Sequence, residues 1–163
     1  MRALSFLSVS LVTVVLLACS TPPAREFGKA DVEAINQMLQ EFVTTYNLKD
    51  ATKLVTLFMP AGVVLPPNAS TVRGTENVRE YYVRRFARGA SDLKLDARDV
   101  AGSGTLAFVN GDYSLNMAPP GGAVRRDRGK FLFVLRNLNG KWLLDQLMFS
   151  SDFAPETAPG TEP

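Results

Sequence analysis

Near residue 90 the spacing of apolar residues switches from a helical period of about 3.6 to the period of 2 that strands require, and it does not switch back. Before the switch, Val32, Ile35, Met38, Leu39, Phe42, Val43 and Tyr46 form one helical stripe, with Asp31 as the expected cap. A short second helix is expected from Asp50, carrying Leu54, Leu57 and Phe58 and stopping before Pro60. Residues 62–65 read as a brief strand ended by Pro66-Pro67. A third helix opens at Gly74-Thr75 with Thr75 as cap, shows Val78, Tyr81, Tyr82 and Phe86 on one face, and closes at Gly89. After the switch, strands are expected at 93–100, 105–117, 130–136 and 142–149. The cluster at 119–122 separates two of them, and Asn139-Gly140 marks a tight hairpin. Helix, helix, strand, helix and then four antiparallel strands make an α+β domain, with the helices on one face of a curved sheet.

The chain ends stand apart from this domain. Residues 1–18 begin Met1-Arg2 and continue as an apolar run to Ala18, too short to cross about 30 Å of hydrocarbon comfortably. They read as a secretory signal segment. The run ends Leu16-Leu17-Ala18-Cys19, which resembles the lipobox of bacterial lipoproteins. That resemblance implies that Cys19 is acylated and that the domain is held at a membrane of the cell envelope. With Ser20 rather than aspartate after the cysteine, it favours the outer membrane where the organism has one. An ordinary signal peptide with an incidental cysteine, or an uncleaved anchor, is the alternative. Residues 19–28, with Pro22-Pro23, read as a tether, 29–153 as one domain and 154–163 as a disordered tail.

Composition removes whole classes of chemistry. The chain of 163 residues has no histidine, so histidine-based triads and histidine-ligated zinc are excluded. Its single cysteine excludes an intramolecular disulfide. With 18 basic and 16 acidic residues there is no nucleic-acid footprint. Asp92, Asp96 and Asp99 lack the ligand density of a calcium loop, and Gly102-Ser103-Gly104 lacks the rest of a phosphate-binding motif. No metal or cofactor is expected. Arg79, Arg84, Arg85 and Arg88 read as the wet face of the third helix. Alternation puts Arg126, Arg128 and Lys130 on one face of a hairpin and Arg125 and Asp127 on the other.

Several segments together resemble the SnoaL-like branch of the nuclear transport factor 2-like superfamily. They are Tyr46-Asn47-Leu48-Lys49-Asp50 at the end of the first helix, residues 57–68, and Val72-Arg73-Gly74. The strand opened by Gly129-Lys130, the Asn139-Gly140-Lys141-Trp142 hairpin and Phe149-Ser150-Ser151-Asp152 complete the match. The resemblance implies a cone, its sheet curled around a pocket that the helices plug. By alignment with the ketosteroid isomerases of this superfamily, their oxyanion tyrosine falls on Phe42. The general base falls on Pro66 (Leu65 one register away), and the oxyanion aspartate on Leu132. None of these side chains moves or shares a proton, and only a supporting tyrosine is kept, at Tyr82. The resemblance therefore implies a binding domain for a small apolar molecule, lined by Phe42, Tyr46, Tyr82, Leu132, Asp145 and Phe149. A lyase- or isomerase-type enzyme acting on a small organic substrate is the alternative, and a purely structural or subunit role is the third reading.

Two finer expectations follow from strand register. With a two-residue turn at Asn139-Gly140, Asp145 lies opposite Val134 and Leu132 opposite Leu147, which puts Leu143, Asp145, Leu147 and Phe149 on the pocket face. Asp145 is then either a desolvated carboxylate with a ligand-binding or catalytic role, or the ion-pair partner of Arg136 on the diagonal. Phe131, Phe133, Leu135, Trp142, Leu144 and Met148 fall on the opposite face. The resemblance implies that this face is covered by a second copy in a homodimer; cover by the N-terminal arm or a loop of the same chain is the alternative.

Overall fold

The computed structural model describes residues 25–153. The signal segment, Cys19, most of the expected tether and the 154–163 tail lie outside the described residues. Helix α1 (Lys29–Asn47) buries Ile35, Met38, Leu39, Phe42 and Tyr46, the stripe that the helical period marks. It starts earlier than expected. Gly28 is the cap, and Asp31 sits in the first turn, where its carboxylate accepts the Gly28 N–H at 3.0 Å. Helix α2 (Ala51–Val55) is capped by Asp50, whose carboxylate accepts the Lys53 N–H at 2.8 Å. Leu57 and Phe58 are not helical. Strand β1 (Phe58–Leu65) begins at Phe58, and a short apolar run alone does not distinguish the two states.

A two-residue strand, β2 (Val72–Arg73), precedes helix α3 (Thr75–Ala87), which Gly74 rather than Thr75 caps. Four long strands follow: β3 (Ala90–Ser103), β4 (Leu106–Met117), β5 (Arg125–Leu138) and β6 (Lys141–Ser151). The six strands form one sheet in the order β2-β1-β6-β5-β4-β3. All neighbours are antiparallel except β1 and β6, which run parallel. Asn139 (φ 52°) and Gly140 (φ 87°) are both left-handed, which the two-residue hairpin between right-twisted strands needs. The sheet bends where β3 shifts register between Ala97 and Asp99, opposite Gly111. A Cβ at Gly111 would stand 2.1 Å from the Asp96 carbonyl oxygen, so only glycine admits that approach. The result is an α+β domain with the N-terminal helices packed on a curved sheet, as the change of period implied.

The register of the last hairpin departs from the two-face expectation in one place. From the turn, Leu138 faces Lys141 and Leu135 faces Leu144, as counted. The next pair is Val134 with Gln146, so Asp145 is the extra residue of a bulge, and Leu132 faces Met148 rather than Leu147. One inserted residue inverts the alternation beyond it. Leu144 and Leu147 therefore both point into the core, while Asp145 and Gln146 do not. Phe131, Phe133, Leu135, Trp142 and Leu144, expected on the outer face, are buried in the core. Met148 alone of that set is outward, 42% exposed. Each such apolar side chain taken from water contributes roughly 1.5–3 kcal/mol, so the helix-facing side of β5 and β6 is a substantial part of the core.

Candidate functional site

The interior beneath the helices is built of aromatic rings. Phe42 lies 5.3 Å from Phe133 and 6.3 Å from both Tyr46 and Tyr82, centroid to centroid. Tyr46 meets Phe86 edge-on at 5.0 Å, and Phe149 meets Tyr113 at 5.1 Å. Of the residues expected to line a pocket, the fold thus gathers Phe42, Tyr46, Tyr82 and Phe149. Leu132 and Asp145 are placed elsewhere. Leu132 pairs with outward-facing Met148, and Asp145 accepts a hydrogen bond from Arg136 Nε at 2.9 Å. That ion pair is the partnership its position on the diagonal suggested.

Polar groups enter this apolar interior at two ends. At the first, near the N-terminus of α1, Asp31 accepts from Gly28 N–H, from Arg25, and from Trp142 Nε1 at 3.0 Å. The Gly28 N–H and then the Arg25 guanidinium hold the Asp31 carboxyl below its ordinary value. Phe27 packs edge-on against Trp142 at 5.8 Å, and Arg25 donates to the Gly104 carbonyl at 2.6 Å. Residues 25–28, expected to belong to the tether, are folded onto the domain.

The second end lies about 22 Å away along α1, at 1.5 Å per residue from Asp31 to Tyr46. Here Arg85 Nε donates to the Tyr46 hydroxyl at 2.8 Å. This is the one hydrogen bond of Arg85 among the described residues, and it forms no ion pair with them. Arg85 is therefore not on the wet face of α3 with Arg79, Arg84 and Arg88. It is half-buried, on the same stripe as Val78, Tyr81, Tyr82 and Phe86. The spacing from Tyr81 (i+4) and Tyr82 (i+3) is the signal that could have placed it there.

Four buried side-chain polar atoms among the described residues lack a hydrogen-bond partner: Thr45 Oγ1, Tyr81 Oη, Tyr82 Oη and Asn137 Nδ2. Two of them are the phenols beside Arg85. Tyr82 is wholly buried, and burial pushes its hydroxyl well above the ordinary phenol value. Burial raises Tyr46 as well, only partly offset by Arg85. Across the interior, Asp127 takes a hydrogen bond from the Tyr113 hydroxyl at 3.1 Å and another from Ser151 Oγ at 2.7 Å. Burial, then the Asp127 charge, pushes Tyr113 up. At neutral pH this end presents the Arg85 guanidinium, protonated phenols, and Asp127, whose carboxyl oxygens are engaged by Tyr113 and Ser151. It can donate hydrogen bonds to an oxygen-bearing group.

Two surface clefts differ in character. One of about 540 Å³ along β3–β5 sets Lys94, Arg126 and Arg128 against Asp96, Asp112 and Asp152, so its charge cancels. The other, of about 450 Å³, is almost wholly apolar and is lined by Ala101, Leu106, Phe108 and Val134.

Residues 39–144 match the model of the SnoaL-like domain family. The chain belongs to that family. Solved structures with this fold include a ketosteroid isomerase-like protein from Erwinia carotovora atroseptica. Its TM-score is 0.71 at 20% identity, covering 78% of this chain and 100% of that one. A conserved protein from Planctomyces limnophilus gives 0.68 at 19% identity, over 76% and 99% of the two chains. A nuclear transport factor 2-like protein with a cystatin-like fold, from Novosphingobium aromaticivorans, gives 0.64 at 15% identity, over 76% and 82%. No curated protein matches the sequence. At these identities the likeness fixes the SnoaL-like fold, and the site's chemistry has to come from its own residues.

Proposed function

We propose that this SnoaL-like chain is a binding protein of the cell envelope, anchored through an acylated Cys19, whose cone takes a small and mainly apolar molecule. The observation that carries the reading is the buried, unpartnered hydroxyl of Tyr82. A donor removed from water and left unmade costs about 1–3 kcal/mol, and such groups persist where something else completes them. An acceptor oxygen on a ligand among these rings would do so. Binding is favoured over catalysis because the phenols at this end are pushed upward, away from the range in which a side chain exchanges protons near neutrality. A lyase- or isomerase-type activity, the second reading, would have to draw on Asp127, the carboxylate held by Tyr113 and Ser151.

Mass spectrometry of small molecules released from the natively purified protein tests this. A stoichiometric apolar compound is expected, and its absence from Tyr82→Phe preparations would tie it to this end. Protein that is free of any such compound, and that binds none from an extract of its host's lipids and metabolites, would overturn the reading. The same preparation tests the anchor, since Cys19 should carry a diacylglyceryl group at the mature N-terminus.

A homodimer through the outer face of the sheet belongs to this proposal, with its residues revised by the bulge. Leu106 (47% exposed) and Phe108 (40%) stand outward at the apolar cleft, and Met148 stands outward on β6, in place of the phenylalanines that face the core. Sedimentation should show a dimer that Phe108→Glu dissociates. A wild-type monomer at high micromolar concentration would contradict it.

A further inference from the structure

We propose that the ligand is an organic anion, an apolar or aromatic body with one carboxylate-like head, and that Arg85 binds the head with the Tyr81 and Tyr82 hydroxyls as further donors. This rests on the small-molecule reading above and narrows its chemistry. A guanidinium carries five N–H donors, and Arg85 uses one, on a neutral phenol. Other arginines pair with a carboxylate: Arg25 with Asp31, Arg79 with Glu76, Arg84 with Glu80, Arg98 with Asp112 and Arg136 with Asp145. The arginine of each of those pairs is 36–65% exposed, where water solvates it as well. Arg85 has the opposite arrangement, less water and no carboxylate partner among the described residues. Asp127 is occupied by Tyr113 and Ser151 and forms no ion pair with it. A cation withdrawn from water without a counter-charge is costly, and a ligand carrying one negative charge removes that cost.

The surroundings say what else the ligand should offer. Tyr81 and Tyr82 precede Arg85 by four and three residues, on the same helix face, and neither hydroxyl has a hydrogen-bond partner among the described residues. A carboxylate has two oxygens and about four acceptor positions, enough for a guanidinium and two phenols together. Next to these donors are the rings of Tyr46, Tyr82 and Phe86, within 5.0–6.0 Å of one another. They favour an apolar body over a hydrated one. The phenols, kept protonated by burial, remain donors throughout the neutral range.

Acid–amide pairs of equal shape test the charge directly. Benzoate with benzamide, hexanoate with hexanamide and 1-naphthoate with 1-naphthamide are titrated into the full-length protein by calorimetry. Hydrogen bonds to a charged group predict that at least one acid binds about 10-fold or more tighter than its amide. Arg85→Gln should abolish that preference, the acid losing far more affinity than its amide, and Arg84→Gln, on the exposed side of α3, should preserve it. Equal binding of acid and amide overturns the anion and leaves the small-molecule reading standing. A preference that survives in Arg85→Gln overturns the role of Arg85. No binding by any pair contradicts both. The wild-type comparison needs no variant, so it decides the question even if Arg85→Gln does not fold.

Discussion

The two ends of the α1 helix hold the same kind of group, a charged side chain at the rim of an apolar interior, and treat it in opposite ways. At the Trp142 end, Asp31 accepts from a backbone amide, a guanidinium and an indole, so its charge is answered within the chain. At the Tyr46 end, among the described residues, Arg85 has one neutral hydrogen-bond partner, and the hydroxyls of Tyr81 and Tyr82 on the same helix have none. Satisfied polar networks rigidify a fold, and unsatisfied ones weaken it unless something completes them. The comparison assigns structure to one end and binding to the other, and it can be broken from either side.

The largest effect belongs to the satisfied end. Trp142→Ala removes a buried ring, its contact with Phe27 and the indole donor to Asp31 together. A loss of about 3–5 kcal/mol in denaturant unfolding is expected, with ligand affinity unchanged in the population that remains folded.

The two ends also differ in how far the sequence discloses them. The stripe from Ile35 to Tyr46, the Asn139-Gly140 turn and the alternation of β4 and β5 were legible, because period and turn chemistry are local properties. The faces of β6 were not. The bulge at Asp145 is set by how β5 and β6 pack, and it reverses which residues look inward beyond it. The expected dimer face was wrong for that reason, and the outward placement of Leu132 and Asp145 follows from the same shift. At the binding end, the alternation around Arg126 and Arg128 put Asp127 on the face opposite those arginines, and the structure finds it hydrogen-bonded to Tyr113. Arg85 was hidden by its company. Among Arg79, Arg84 and Arg88 it reads as solvated, and only its spacing from Tyr81 and Tyr82 tells against that.

Acid should act on the satisfied end next. The Asp31 carboxyl is held below its ordinary value of 3.8, so the stability it contributes is present above that value and is lost as pH falls through the lower, folded one. Thermal melts should therefore decline most steeply below about pH 4. Asp31→Asn should be less stable than wild type at neutral pH and should lack that part of the decline. An unchanged acid profile in the variant would place the loss on other carboxylates.

A smaller effect, of unusual sign, belongs to the unsatisfied end. Tyr82→Phe removes a buried hydroxyl that has no partner. The ligand-free protein should become more stable by up to about 1 kcal/mol, or stay unchanged, while retaining less ligand. A clear loss of stability without ligand would mean that the hydroxyl is engaged inside the chain, and the contrast between the ends would weaken. Smallest of all is Asp145→Asn, which breaks one ion pair with the exposed Arg136. About 0.2–1 kcal/mol is expected, with no change in binding, which would assign Asp145 to the sheet surface.

Nuclear magnetic resonance reads both ends in one experiment. Trp142 is the chain's single tryptophan, so its indole N–H reports the Asp31 end, and the Arg85 Nε–H, hydrogen-bonded to Tyr46, reports the other. During titration with 1-naphthoate, the Arg85 signal should move and saturate while the Trp142 signal stays in place. Movement of the Trp142 signal with Arg85 unmoved would reverse the assignment of the two ends and contradict the account.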